Sequence, residues 1–163
     1  MSLQRVDFPR EVEERSMSRA VTEVFATPLR LSPRLVSELG AQSSTMRATV
    51  QGFDSAVIVY VGGDIDGCND GNWRLLLAEA SAFVTAPQLF IVDVNSVEFM
   101  SCSAYEALAE EAHRCRERGI DLCLVSIDPA VSRIVRACGL DDVLPVHTSA
   151  PQSLQLVEPA HAC

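Results

Sequence analysis

Residues 89–127 read LFIVDVNSVEFMSCSAYEALAEEAHRCRERGIDLCLVSI, and this stretch decides the fold. Its first seven residues are apolar at nearly every position, which is typical of a strand buried on both faces of a sheet. A helix is predicted from Ser101 to Arg118, where Ser103 and Glu106 have the spacing of a capping box and Gly119 can follow as the C′ residue. The last seven residues, DLCLVSI, predict a second buried strand. This order predicts a parallel β-α-β unit.

The segments on either side extend the same pattern. Upstream, MRATVQ (46–51) and the β-branched run AVIVYV (56–61) predict two adjacent strands, and an amphipathic helix follows them. Downstream, Asp128 followed by Pro129 predicts a helix start, and VLPVHT (143–148) predicts a last short strand. The chain is therefore predicted to be an α/β sandwich, with a mixed β-sheet of about five strands and helices packed mainly on one face.

The length of 163 residues fits one domain with its own core. The regular pattern runs from 46 to 157, and we predict the domain there. Residues 1–45 carry weak patterns and are expected to form an N-terminal extension that is partly flexible. Residues 158–163 are expected to be a C-terminal tail.

The charge of the chain restricts its partners. All 13 basic residues are arginine, so chemistries that need a lysine, such as a GxxxxGK[ST] phosphate loop or a Schiff base, are excluded. From residue 48 onward, the sequence contains 16 Asp and Glu residues but only 6 Arg. This acidic field repels nucleic acid and anionic membranes, and favours a protein partner with a basic patch.

No apolar run approaches the roughly 20 residues of a membrane helix, so we expect a cytoplasmic protein without direct membrane insertion.

No group of residues supports catalysis or metal binding. The six cysteines show no CxxC or CxxH spacing, and the three histidines have no readable nucleophile and carboxylate beside them. Asp64 and Asp66 lack the further oxygen ligands that calcium loops place at alternate positions. We therefore expect a binding module without cofactor or metal, and not an enzyme.

Three segments in the right order resemble the STAS domain of bacterial anti-sigma factor antagonists. They are VYVGGDID (59–66), LFIVDVNSVEFMSCSAYEAL (89–108) and RGIDLCLVSIDPAVSRIVRACGLDDVLPV (118–146). The resemblance implies a STAS-type fold and a protein that docks on an anti-sigma factor of kinase fold and so frees the sigma factor. In that family the kinase turns the switch off by phosphorylating the first serine of a D-S-S-G motif at the start of the second helix.

This chain departs from that motif. The corresponding positions are Ser101, Cys102, Ser103 and Ala104, so a thiol stands where the phosphoacceptor serine is expected. Three interpretations remain open. In the first, Ser101 or Ser103 caps the helix and Cys102 is only a small packing residue. In the second, Ser101 or Ser103 is phosphorylated instead. In the third, Cys102 is a redox switch, because a helix N-terminus lowers the pKa of a thiol.

The resemblance also implies a partner-binding surface. Asp64 and Asp66 lie in a loop that borders it in the family, and the first turns of the second helix, with Ser101, Cys102, Ser103 and Glu106, form part of it. Two other functions stay open at this point: the STAS subunit of an ABC-type lipid transporter that binds its ATPase, and a small-ligand sensor. An exposed edge strand would also allow a homodimer.

Overall fold

The computed structural model describes residues 26–151, within which the segment Thr27–Ala150 forms one compact unit. Its centre is a mixed sheet with the strand order β1-β2-β3-β4-β5-β6. The strands are β1 (Thr27–Pro28), β2 (Met46–Gly52), β3 (Ala56–Ile65), β4 (Leu89–Met100), β5 (Asp121–Val125) and β6 (Val146–His147). Strand β2 is antiparallel to both β1 and β3, and the strands from β3 to β6 are parallel to one another. The predicted mixed α/β architecture is confirmed; the sheet has six described strands because the two-residue β1 pairs with the end of β2.

Each helix begins where a short polar or proline-containing signal stands in the sequence. The helices are α1 (Pro33–Gly40), α2 (Asp70–Ala82), α3 (Cys102–Glu117) and α4 (Pro129–Ala137). At the start of α4 the carboxylate of Asp128 accepts a hydrogen bond from the amide of Ala130 at 2.9 Å, as predicted for a cap before Pro129. Gly119, after α3, has the positive φ of +74° that a C′ glycine needs.

The core lies between the helices and one face of the sheet. The four parallel strands β3 to β6 follow one another across the sheet in sequence order, and crossovers of one hand then place the three connecting helices on the same face. The strand residues that meet these helices are Val57, Val59, Val61, Phe90, Val92, Leu122 and Leu124. Trp73, Leu76, Leu77 and Leu108, from α2 and α3, complete the centre of this core.

The segment before β2 is tied to the rest of the unit. Glu79 of α2 accepts hydrogen bonds from the amide of Ser32 at 2.8 Å and from its hydroxyl at 2.5 Å. Ser32 caps α1, and Leu35 of that helix is fully buried in the core. Part of the expected N-terminal extension, residues 27–45, therefore packs as a structured element, whereas residues 1–25 and 152–163 lie outside the described residues.

The predicted ends of the helix from Ser101 to Arg118 are confirmed to within one residue, whereas its predicted capping box and the predicted ends of two strands are wrong. Helix α3 begins at Cys102 with Ser101 as its N-cap, so Ser103 lies inside the helix and does not form the predicted capping box with Glu106. Strand β4 continues to Met100, because its second half pairs with the end of β3. Strand β6 has only two residues, since Leu140–Leu144 closes a turn before Pro145. Among the described residues, no helix is long and apolar enough to cross a membrane.

Candidate functional site

The loop that follows β3 is held by a network of hydrogen bonds around Asn69. The Nδ2 atom of Asn69 donates to the carbonyl of Asp64 at 2.8 Å and to the hydroxyl of Thr45 at 3.1 Å. Its Oδ1 atom accepts from the amide of Asp66 at 3.0 Å. The carboxylate of Asp66 in turn accepts from the amide of Cys68 at 2.8 Å. Asn69 thus uses its side chain to fix the loop, although it stands at the N-cap position of α2.

Gly63 allows this loop to leave the sheet beside Thr45. It has a φ of +86°, and a Cβ atom built on it would lie 1.9 Å from the carbonyl oxygen of Thr45. That same carbonyl accepts a hydrogen bond from the amide of Asp64 at 2.9 Å. Only glycine combines this backbone conformation with so close an approach. The prediction that both aspartates lie in a loop is wrong for Asp64, which is still in strand β3 because its backbone pairs with Phe99, whereas Asp66 begins the loop.

The start of α3 is joined directly to the end of β3. The amide of Ser101 donates to the carbonyl of Ile65 at 2.9 Å, one residue beyond the Ile65–Met100 pair of the sheet. Since Asp66 follows Ile65, its backbone lies beside the start of the helix. The structure thus brings the predicted loop residues together with the predicted helix residues.

The two serines at this start have different surroundings from the cysteine between them. The Oγ atom of Ser101 accepts from the amide of Ala104 at 3.3 Å and lies 3.0 Å from the Oγ atom of Ser103, with which it shares a hydrogen bond. Both serines are half-buried. The side chain of Cys102 is exposed and is free of any disulfide. Glu106, one turn further along α3, is also exposed.

A buried phenol connects the start of α3 with α4. Tyr105 is 3% exposed, and this burial raises the pKa of its hydroxyl above the ordinary value. The negative charges that Asp128, Cys138 and Cys102 can carry raise the pKa further. The phenol therefore stays protonated at neutral pH.

Two features of this region carry no signal in the sequence. The first is a hydrogen bond: the fully buried Trp73 donates its indole hydrogen to the carbonyl of Ala104 at 3.0 Å. Phe99 and Ile127 are 55% and 74% exposed. Ile127 belongs to a predicted buried strand, whereas Phe99 lies between the predicted strand and the predicted helix. A residue's exposure at a strand end depends on how far the neighbouring strand continues, which periodicity does not reveal.

The described residues contain no group of three or more His, Cys, Asp or Glu side chains that could hold a metal ion. What the arrangement offers is a surface: a rigid acidic loop, a helix start with an exposed thiol and two hydroxyl groups, and an exposed carboxylate one turn later. We name the set of Asp64, Asp66, Ser101, Cys102, Ser103 and Glu106 the helix-start surface.

Comparison with known proteins agrees with the fold and with the resemblance found in the sequence. The family model described as STAS domain matches residues 47–152. A protein of Mycobacterium tuberculosis strain H37Rv, named "Putative anti-anti-sigma factor Rv2638", is 51% identical over 138 residues, which cover 85% of this chain and 93% of that protein. The "Anti-sigma-F factor antagonist RsfA" of Mycobacterium tuberculosis is 48% identical over 112 residues, covering 69% of this chain and 88% of that protein.

Solved structures with the same fold include two anti-sigma factor antagonists. The one from Mycobacterium paratuberculosis has a TM-score of 0.59 at 23% identity, and the match covers 74% of this chain and 99% of that one. The unphosphorylated form of SpoIIAA has a TM-score of 0.52 at 14% identity, covering 71% of this chain and 97% of that one. At these identities the two structures support the fold alone.

Proposed function

This chain belongs to the STAS domain family, and from that premise we propose that it is an anti-sigma factor antagonist. It binds an anti-sigma factor, releases the sigma factor that the anti-sigma factor holds, and so regulates transcription without catalysing a reaction. The observation that carries this proposal is the identity of about half of all aligned residues with relatives named as antagonists. Proteins of that class are regulatory binding proteins.

The helix-start surface is the proposed site of binding. Its loop and helix are joined through the hydrogen bond from Ser101 to Ile65 and need little ordering when a partner docks. A surface that is already rigid loses less conformational entropy on binding, which favours affinity. Its carboxylates, Asp64, Asp66 and Glu106, suit a partner with basic side chains.

The proposed partner is an anti-sigma factor of kinase fold, and Cys102 alters how such a partner can control this chain. A thiol is not an acceptor for an ordinary serine kinase, so the position that carries the family's phosphate stays unphosphorylated here. The chain is then either permanently active or controlled by oxidation of the exposed thiol. The neighbouring Ser101 hydroxyl already serves as the helix cap.

The function is tested by release of a sigma factor. Each anti-sigma factor encoded in the same genome is purified in complex with its sigma factor, and the full-length chain is added under reducing conditions. We expect one of these complexes to dissociate and to free its sigma factor, measured by gel filtration and by transcription with RNA polymerase. If no complex releases its sigma factor, the proposal is overturned.

The control mechanism is tested with the anti-sigma factor found in that way. With ATP, we expect no phosphate on the unaltered chain and stoichiometric phosphate on the Cys102→Ser variant, as measured by intact-protein mass spectrometry. Phosphate on Ser101 or Ser103 of the unaltered chain would contradict this mechanism. Binding measured before and after treatment with hydrogen peroxide, with Cys102→Ala as control, separates a redox switch from a permanently active chain.

A further inference from the structure

Two large apolar side chains protrude beside the helix-start surface. Ile127 is 74% exposed and Phe99 is 55% exposed. Burying such a side chain contributes about 1.5–3 kcal/mol to the stability of a fold, and these two leave most of that contribution unused. Exposed apolar side chains that are bordered by polar residues mark interaction sites when they lie together at one place.

The register of the sheet places Phe99 on the face that points away from the helices. Phe99 pairs with Asp64, and the next residue, Met100, pairs with Ile65. Met100 and Ile65 both pack into the core beneath the helices. Because successive residues of a strand point to opposite faces, Phe99 and Asp64 share the opposite face of the sheet.

Ile127 lies at the same edge, next to the same strand. The last residue of β4 that pairs with β5 is Asp93, so β4 continues beyond β5 from Asn95 to Met100. Directly after β5, the amide of Ile127 donates to the Oδ1 atom of Asn95 at 2.7 Å. Phe99 therefore belongs to the part of β4 that extends beyond β5 and leads into α3, and the backbone of Ile127 lies beside the start of that part.

The charges around these two residues are mostly negative. Glu98 precedes Phe99, Asp128 follows Ile127, and both are exposed. Asp64, near the end of β3, pairs with Phe99, and Asp66 directly follows β3. The basic group nearby is the guanidinium of Arg47 on β2, which lies 3.5 Å from where a Cβ atom on Gly62 of β3 would stand. A second copy of this chain would bring like charges together, whereas a partner with arginine or lysine around an apolar pocket would be complementary.

We infer that Phe99 and Ile127 are the apolar anchors by which this chain docks on its anti-sigma factor, and that the partner surface is an apolar pocket with a basic rim. This inference rests on the proposed function and extends it. The docking surface then continues from the helix-start surface over the edge of the sheet onto the face away from the helices. Interfaces take most of their affinity from a few such anchors surrounded by a polar rim.

The experiment uses the full-length chain and the anti-sigma factor identified by sigma-factor release. Its variants are Phe99→Ala and Ile127→Ala, with Val36→Ala as a matched control, because Val36 on α1 is also 55% exposed. Circular dichroism and thermal unfolding verify that each variant keeps its fold. We expect each anchor variant to bind at least tenfold more weakly by titration calorimetry, and the control to bind within twofold of the unaltered chain.

The outcomes separate the inference from the function on which it rests. If the unaltered chain binds and both anchor variants bind within twofold of it, the anchors are wrong and the function stands. If the unaltered chain releases no sigma factor, the proposed function is overturned and the inference with it. If sedimentation shows that the unaltered chain is a dimer that Phe99→Ala converts to a monomer, a second copy occupies this surface, which overturns the assigned partner.

Discussion

The indole nitrogen of Trp73, at the start of α2, donates a hydrogen bond to the carbonyl oxygen of Ala104, in the first turn of α3, at 3.0 Å. Both residues are fully buried. The bond joins the helix after the acidic loop to the helix that carries Cys102. The two parts of the helix-start surface are thus fixed relative to each other by a side chain that itself does not reach the surface.

The Trp73→Phe variant is expected to lower the free energy of unfolding by about 2–3 kcal/mol. The smaller ring leaves a cavity, and the loss of the indole hydrogen removes one buried hydrogen bond. Urea unfolding measures this change, with Val36→Ala as a control that should cost less than about 0.5 kcal/mol because the side chain is exposed. An equal loss in both variants would contradict the role of Trp73.

Gly63, near the end of β3, and Gly67, in the loop that follows, can be compared as a matched pair of glycine-to-alanine substitutions. Gly63→Ala must place a methyl group against the carbonyl of Thr45 in a backbone conformation with φ of +86°, whereas a Cβ atom on Gly67 meets nothing within 4 Å. We expect Gly63→Ala to lower the free energy of unfolding by more than about 2 kcal/mol and Gly67→Ala to change it by less than about 1 kcal/mol. Urea unfolding of both variants decides this, and equal midpoints would disprove it.

The fold could be read from the sequence because its main elements carry local signals. The β-branched runs, the Asp128–Pro129 helix start and Gly119 all appear in the structure where the sequence places them. The mixed sheet and the helices on one face follow from the order of these elements. No local signal marked β1, whose two residues are a strand only because they pair with β2.

The details of the site depended on tertiary contacts. The spacing of Ser103 and Glu106 predicted a cap two residues too late, because the hydrogen bond from Ser101 to Ile65 ends the strand and starts the helix earlier. The protrusion of Phe99 results from the extension of β4 beyond β5. The length of a neighbouring strand and the pairing of a strand end depend on tertiary contacts, so local sequence patterns do not predict them.

Substitutions can test that Ser101, and not Ser103, caps helix α3. Ser101→Ala removes the oxygen that accepts from the amide of Ala104, so we expect a loss of about 1 kcal/mol in the free energy of unfolding. The hydroxyl of Ser103 has a hydrogen bond only to Ser101 among the side-chain contacts described, so Ser103→Ala should cost less than about 0.5 kcal/mol. A larger loss in Ser103→Ala would restore Ser103 as the cap.

Glu111 and Glu110 are neighbours on α3 with opposite burial. Glu111 is 3% exposed, accepts from the hydroxyl of Ser81 at 2.6 Å and pairs with Arg114 at 2.6 Å. Glu110 is exposed and pairs with Arg74 and Arg114. We expect Glu111→Ala to lower the free energy of unfolding by about 2 kcal/mol, because it removes the buried hydrogen bond from Ser81 to a charged acceptor. We expect Glu110→Ala to lower it by less than about 1 kcal/mol, because its ion pairs are exposed. Similar losses in chemical denaturation of the two variants would contradict this.

The described cysteines divide into exposed and buried thiols. Cys68, Cys102 and Cys138 are exposed, whereas Cys115 and Cys123 are buried. Burial raises the pKa of Cys115 and of Cys123 to about 11, and the carboxylates of Glu111 and Asp121 add to this effect. Since the thiolate is the reactive form, we expect iodoacetamide at pH 8 to label the three exposed thiols and to leave the two buried ones unlabelled in the native chain. Site-resolved mass spectrometry measures the labelling.

The same two buried thiols make the stability of the chain depend on alkaline pH. Their folded-state pKa lies above the unfolded value of about 8.5, so the folded state holds these protons more tightly. Their contribution is fully present below about pH 8.5 and is lost as the pH rises through about 11. We expect the urea midpoint to fall over this interval and to fall less steeply in Cys123→Ala, which keeps a small apolar side chain but cannot ionise. The same slope in the variant and in the unaltered chain would show that Cys123 does not titrate there.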